Sequence, residues 1–559
     1  MENAKGLSRR AALLGAGAAI GFGWPQIGRA MDRGRKIAPN RASPDFKPDV
    51  EIELIARPES VRILEGAPTR VWRYAANLVK GPDITLTPLP NSYLGPIMRF
   101  ATGQKIRIRL RNELPQPTIA HWHGLHVPML ADGHPMYAID PGETYVYEFE
   151  LRNRASLNIY HPHPHEATAT QVYRGLAGAI VVDDEEERAL GLPSGEFEIP
   201  IVIQDRTFND DNQLVYGGGM HMDMMGFQGE RILVNGLPDF HLDVASRAYR
   251  LRVMNGSNAR IYKLAWDDGT PLAVIGVDGG LLERPETRRY VMLAPGERLD
   301  LWADFSGRAV GSKLVMKNAA FRGALPPMAE HMMGGMMGGG LPTATDFPIF
   351  TASVTHAVGD GPKLPQTLAR IVRYQDKDIA NIGNPIPIAI SAGHMSMLLN
   401  GAPYGDEIQP RERVPVNTVQ LIDIFHEQGG GHMGGMDHMG MRAGRGIGGR
   451  GMGRMGMGGM GMGGGMGMMG MMMSMAHPIH LHGQPFQIVA RVFDGDPDGG
   501  YGAMREGFVD GGWKDTVLVA PGERVRIAKP FQDYKGRFMY HCHILEHEDM
   551  GMIREFSVE

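Results

Sequence analysis

Cys542 is the only cysteine among 559 residues, and it stands between two histidines in Phe538-Met539-Tyr540-His541-Cys542-His543. His547 follows five residues later and Met552 five beyond that. A thiolate, an imidazole and a distant thioether are what a blue-copper electron-transfer site takes, short of one imidazole. If Phe538 to His543 forms a β-strand, its side chains alternate between two faces. Cys542 then points one way while His541 and His543 point the other. A copper on the thiolate would be joined to metal on the flanking imidazoles through one or two residues of backbone, an arrangement suited to passing single electrons.

Chance placement of the 21 histidines would give about one His-X-His pair. The chain has His121-Trp122-His123, His161-Pro162-His163-Pro164-His165, His480-Leu481-His482 and His541-Cys542-His543. On a strand such a pair presents both rings to one face, so each pair offers two nitrogens to a metal or to adjacent metals. His477, three residues ahead of His480, supplies the second imidazole that the thiolate site needs.

The segments His121-Trp122-His123-Gly124, His161-Pro162-His163, His477-Pro478-Ile479-His480-Leu481-His482 and His541-Cys542-His543-Ile544-Leu545-Glu546-His547 with Met552 resemble, in order, the four copper motifs of three-domain multicopper oxidases. That family includes laccases and periplasmic cuprous oxidases, and the resemblance runs from about Val50 to the C-terminus. It implies four copper ions. The type 1 copper would take His477, Cys542, His547 and axial Met552. The type 2 copper would take His121 and His480. The two type 3 coppers would take His123, His161, His163, His482, His541 and His543. Tyr160 stands where the family more often has Trp or Phe, and Glu166 occupies a common glycine position. His165 is an additional histidine, read as lying beside the ligands or on the surface.

Reducing dioxygen to two waters consumes four protons, which copper-bound imidazoles cannot deliver, so carboxylates must lie close by. Asp132 and Glu548 match the acidic positions that bacterial members use for proton delivery.

The elements that must position these residues read as strands. Apolar residues alternate at Ile106, Ile108 and Leu110, at Tyr145, Tyr147 and Phe149, at Leu251 and Val253, at Leu299 and Leu301, and at Val525 and Ile527. This is the strand period, one face inward and one outward. Asp140-Pro141-Gly142-Glu143, Ala294-Pro295-Gly296-Glu297 and Ala520-Pro521-Gly522-Glu523 each lead into such a strand. A recurring proline-glycine turn predicts one β unit used three times. The expected fold is all-β, three cupredoxin-like Greek-key sandwiches spanning residues 50–190, 191–358 and 365–559, as the resemblance also implies. The ligand motifs fall in the first and third, so their metal cluster must lie between those two. The middle domain, without a ligand motif, is expected to be a spacer.

Lysine plus arginine number 57 against 62 aspartate plus glutamate, a net charge of −5 with no long basic run over the folded part. Nucleic acid is therefore an unexpected partner. At the N-terminus, Ser8-Arg9-Arg10-Ala11-Ala12-Leu13-Leu14 precedes small apolar residues up to Trp24. Paired arginines before a short apolar stretch read as a twin-arginine export signal over residues 1–30. The stretch is shorter than the about 20 apolar residues a membrane-spanning helix needs. The expected product is an exported, periplasmic monomer without a stable membrane anchor, handled by the twin-arginine machinery. Metal ligation accounts for a lone cysteine in an oxidising compartment.

A glycine- and methionine-rich insertion covers residues 429–475. It holds 16 methionines between His432 and Met475, among them Met466, Met468, Met469, Met471, Met472 and Met473. A shorter run includes Met332, Met333, Met336 and Met337, and a third cluster lies at Met220 to Met225. Thioethers are soft ligands that select cuprous ion. Because the long run ends two residues before His477, captured Cu(I) would be held where electrons enter. Arg442, Arg445, Arg450 and Arg454 interrupt that run with positive charge. Cuprous ion is thus the expected reducing substrate and dioxygen the oxidant. A laccase-like phenol or arylamine oxidase is the alternative, and a non-enzymatic copper store would leave the paired histidines without a role.

Overall fold

A computed structural model describes residues 40–217, 225–325, 341, 345–359, 361–393, 396–426, 475–495 and 497–559. Residues 1–30, read above as an export signal, the methionines at 332–337 and the insertion up to residue 474 lie outside the described residues. Met475 and Met225 lie within them.

The described chain is all-β, in three successive pairs of sheets. In the first pair, Val50–Val61 runs antiparallel to Thr69–Lys80 and parallel to Lys105–Asn112, which pairs with Thr144–Glu150. The alternating residues Ile106, Ile108, Leu110, Tyr147 and Phe149 all turn into one core with Trp122 and Ile180. Each such side chain withdrawn from water contributes about 1.5–3 kcal/mol before chain entropy is counted. The facing five-stranded sheet includes Ala120–His123 at its edge, next to Ser156–Pro162. The middle pair has seven and five strands, drawn from Glu198–Arg206 through Phe347–His356. The last pair has six and five strands. Its smaller sheet carries His477–Leu481 between Thr516–Val519 and Gly536–Cys542.

One expectation from the strand period needs correction. The residues that alternate with Leu251 and Val253 belong to the outward face by that period, yet every residue of Ala248–Asn255 is buried. Arg250 and Arg252 are enclosed by carboxylates. Arg250 pairs with Glu187 and Asp300, and Arg252 with Glu187 and Glu198. Glu187 comes from the short helix Glu185–Ala189 and Glu198 from the start of the next strand. The chain leaving the first sandwich therefore covers the second face of this strand. Two arginines survive burial there because each is matched by negative charge.

Candidate metal centres

Register alone brings the histidines together. Across Ala120–His123 and Ser156–Pro162, His121 lies opposite His161. Across His477–Leu481 and Gly536–Cys542, Ile479 lies opposite Cys542 and His480 opposite His541. Pleating then sorts the side chains. His477 and Cys542 face one side, and His480, His482 and His541 face the other. The helix Leu545–Asp549, placed directly after the strand, folds back to carry His547 and Glu548.

On the thiolate side, Cys542 Sγ is 3.6 Å from His477 Nδ1 and 3.7 Å from His547 Nδ1. One ligand atom from each of the three lies within 4.8 Å of the others, all buried. Met552 is fully buried in the same apolar cluster, and its carbonyl accepts from the Cys542 N–H at 3.0 Å. Burial pushes the Cys542 thiol up, so thiolate here requires a cation; a coordinated thiol gives up its proton. His426 was not singled out by sequence. It is buried with its ring 5.1 Å from that of His477.

On the opposite side, four groups among the described residues bring potential ligand atoms within 4.8 Å of one another: His121, His123 and His161; His121, His480 and His482; His163, His482 and His541; and His123, His480 and Asp515. His543 belongs to none of these groups, but its ring lies 4.9 Å from that of His123 and 5.5 Å from that of His161. His165 stays outside the cage, half-buried, with its ring 4.7 Å from Tyr404.

Hydrogen bonding fixes which nitrogen is available. The Nδ1 atoms of His121, His161 and His480 stand 2.6, 2.9 and 2.9 Å from the carbonyls of Asp132, Pro162 and Asp515. A carbonyl can only accept, so the proton sits on Nδ1, and each Nε2 is a buried lone pair without a partner. His482 Nδ1 faces Asp132 Oδ2 at 2.8 Å, and His541 Nδ1 stands 3.0 Å from the Cys542 carbonyl, with Glu548 Oε2 close by at 3.1 Å. Their Nε2 lone pairs therefore point at each other across 3.2 Å. Two acceptors cannot hydrogen-bond without a proton between them, whereas a cation held by both satisfies them. Burial pushes His123, His161, His163, His482 and His543 well below the ordinary imidazole value, and brings His480 to about 4. These rings stay neutral, the form in which histidine binds metal. The donor set fits copper, as imidazole and thiolate ligands do.

Asp132 and Glu548 are both buried among these rings. Glu548 also lies 3.6 Å from His163 Nε2. Glu166 adopts φ +64°, the left-handed conformation that explains why glycine is favoured at that position.

Sequence reasoning passed over Asp515, whose Oδ1 is 3.1 Å from His123 Nε2. Asp515 and its neighbours Lys514 and Thr516 are held by the middle sandwich. Lys514 Nζ reaches Asp278 and Glu297 at 3.0 and 2.9 Å, and Asp278 Oδ2 accepts from the Asp515 and Thr516 N–H groups. Arg298, the first residue of the strand that follows the repeated proline-glycine turn, binds the Asp515 carboxylate.

Comparison with known proteins agrees with this geometry. Residues 75–187 and 466–559 each match a sequence family described as Multicopper oxidase. The chain is similar to a laccase of Bacillus subtilis (strain 168), 30% identical over 529 residues, covering 88% of this chain and 90% of that one. It is also similar to a bilirubin oxidase of Albifimbria verrucaria, 27% identical over 475 residues, covering 83% of this chain and 71% of that one. Among solved structures, the McoA multicopper oxidase of Aquifex aeolicus superposes with a TM-score of 0.69 at 29% identity, covering 92% of this chain and 97% of the other.

Proposed function

The chain belongs to the multicopper oxidases, and we propose that within this family it oxidises cuprous ion to cupric ion while reducing dioxygen to water. Four cuprous ions give up four electrons, and one dioxygen with four protons becomes two waters. We assign the resident metals as four coppers on the residues named from the motifs. Type 1 sits on His477, Cys542, His547 and Met552, and type 2 on His121 and His480. The type 3 pair sits on His123, His161, His163, His482, His541 and His543. When bound, those ions supply one-electron oxidation at the thiolate and four-electron reduction of oxygen at the histidine cage.

The chain's own groups do the rest. Carbonyl acceptors hold the imidazole tautomers, so no reorganisation is needed when metal enters. Asp132 and Glu548, buried against His482 and His541, are placed to hold and pass protons to the oxygen being reduced. The apolar wall around Cys542 excludes water from the thiolate.

The observation that carries the cuprous reading is Met475. This last residue of the methionine-rich insertion is buried in the same cluster as Cys542 and Met552, together with Met225 and Met397. Two of the three methionine-rich runs thus end in the apolar cluster that also holds Cys542. Soft sulfur there suits capture of Cu(I) beside the electron acceptor. A phenol or arylamine oxidase is the second reading, favoured by the relatives named laccase and bilirubin oxidase. Deleting residues 429–472 and comparing steady-state rates on Cu(I) and on a phenol, using fully copper-loaded protein, decides between them. The cuprous rate should fall while the phenol rate holds or rises. An unchanged cuprous rate defeats the proposal. The paired arginines Arg9 and Arg10 support export of the folded protein, which places copper detoxification outside the cytoplasm as the role. Replacing both with lysine should leave the enzyme in the cytoplasmic fraction.

A further inference from the structure

Arg298 belongs to the middle sandwich, which contributes none of the assigned ligands. Its guanidinium is nonetheless buried where the three sandwiches meet, and all five of its N–H groups have acceptors. Nε donates to Leu157 O in the first sandwich at 2.9 Å. Nη1 donates to Gly296 O at 2.9 Å and to Asp515 Oδ1 at 2.7 Å. Nη2 donates to Asp278 O at 3.1 Å and to Asp515 Oδ2 at 2.5 Å. The pair with Asp515 is bidentate, a geometry that fixes the plane of a carboxylate as well as its charge.

What Asp515 touches gives that plane its importance. Oδ1 meets His123 Nε2 at 3.1 Å, and the backbone carbonyl of the same residue meets His480 Nδ1 at 2.9 Å. His123 Nδ1, the other nitrogen of that ring, is buried without a partner. One residue therefore sets the orientation of two imidazoles assigned to two different kinds of copper. The surroundings leave no slack. Gly124, directly after His123, has φ +94°, and a Cβ there would fall 2.6 Å from Arg298 Nη2 and 3.0 Å from Asp515 Oδ2. Gly296, two residues before Arg298, packs so closely that a Cβ would fall 2.9 Å from the ring of His543.

We propose that Arg298 is a positioning residue for the histidine cluster: by clamping Asp515 it turns His123 and His480 so that their free nitrogens face the metal. The middle domain thus does more than hold the outer two apart; it completes the frame in which their ligands meet. This rests on the ligand assignment above, and the test separates the two.

Arg298→Lys and Arg298→Leu are prepared as full-length, copper-loaded proteins, together with Asp515→Asn. Copper per chain and the electron paramagnetic resonance spectrum are measured, with the blue copper signal of each sample as internal standard. Lysine keeps the charge but cannot engage both carboxylate oxygens. In Arg298→Lys the blue signal should stay as in wild type while the type 2 signal shifts its hyperfine splitting. Asp515→Asn should show a shift of the same kind. Arg298→Leu should lose copper from the histidine cluster and keep it at Cys542. Wild-type type 2 spectra and full copper in Arg298→Lys and Asp515→Asn would overturn the proposal. Loss of the blue signal together with the type 2 signal in Arg298→Lys would also overturn it, since the arginine would then serve the fold as a whole. A wild-type protein with no type 2 signal would sink the ligand assignment and the clamp with it.

Discussion

His482 Nδ1 stands 2.8 Å from Asp132 Oδ2, so a carboxylate of the first sandwich orients an imidazole of the third. Asparagine at this position keeps an acceptor for the ring and loses the capacity to take up a proton. Asp132→Asn should therefore slow oxygen reduction about 10²-fold or more, the usual range for losing a proton-transfer group. The blue absorption should still bleach at the wild-type rate when substrate is mixed with the oxidised enzyme. Oxygen uptake and rapid-mixing absorbance check the two halves separately.

Cys542→Ser removes the only thiolate in the chain. Blue absorption and oxidation of both substrate classes should vanish. The fold should survive, because exchanging a buried thiol for a hydroxyl costs about 1–3 kcal/mol. Absorbance, turnover and circular dichroism read the three outcomes, and a variant that stays blue would refute the ligand assignment.

Met552→Leu keeps volume in a fully buried position and should cost under about 1.5 kcal/mol in stability. Losing a weak axial donor should raise the reduction potential of the blue site while activity persists. Redox titration of the blue band gives the sign, and a lowered potential would remove Met552 from the axial role.

His126 offers a pH signature independent of the metals. Its Nε2 pairs with Asp533 Oδ2 at 3.0 Å, joining first sandwich to third. Burial outweighs the pull of Asp533 and brings the imidazole down to about 4 from an unperturbed 6.5. Between those values the unfolded chain binds a proton that the native protein refuses. Native stability therefore falls as pH drops from 6.5 towards 4, by about 3 kcal/mol at about 1.4 kcal/mol per pH unit. In His126→Gln, denaturant unfolding of copper-free protein should show that much less loss over the same window.

Copper removal should loosen the join between first and third sandwiches, since the cluster's histidines come from both. Each site saturated at 1,000 times its dissociation constant adds about 4 kcal/mol to stability. Calorimetry of stripped and reloaded protein should show the unfolding temperature dropping by several degrees and then recovering. Identical scans would mean that the ions bridge nothing.

The site was legible wherever chemistry coincided with strand period. His477, His480 and His482 sort to the correct faces by counting alone, and Cys542 separates from His541 for the same reason. Glu166 could be flagged as occupying a glycine position, and its positive φ supplies the cause. Single residues meeting across long separations were not legible. Arg298 and Asp515 are 217 positions apart, and neither stands in a pattern that announces a partner. His426 gave no signal for a related reason, because only folding sets it beside His477. The burial of Arg250 and Arg252 was not legible either, because period 2 reveals alternation without saying what covers the second face.

Cys542 and His541 are covalent neighbours facing opposite ways. The gap between the two metal pockets is therefore held by a peptide unit, which neither stretches nor slips as packed surfaces do. Heating that frets the seams among the three sandwiches would distort the shape of the oxygen-side cage first. The path length from donor side to acceptor side would be the last thing to change.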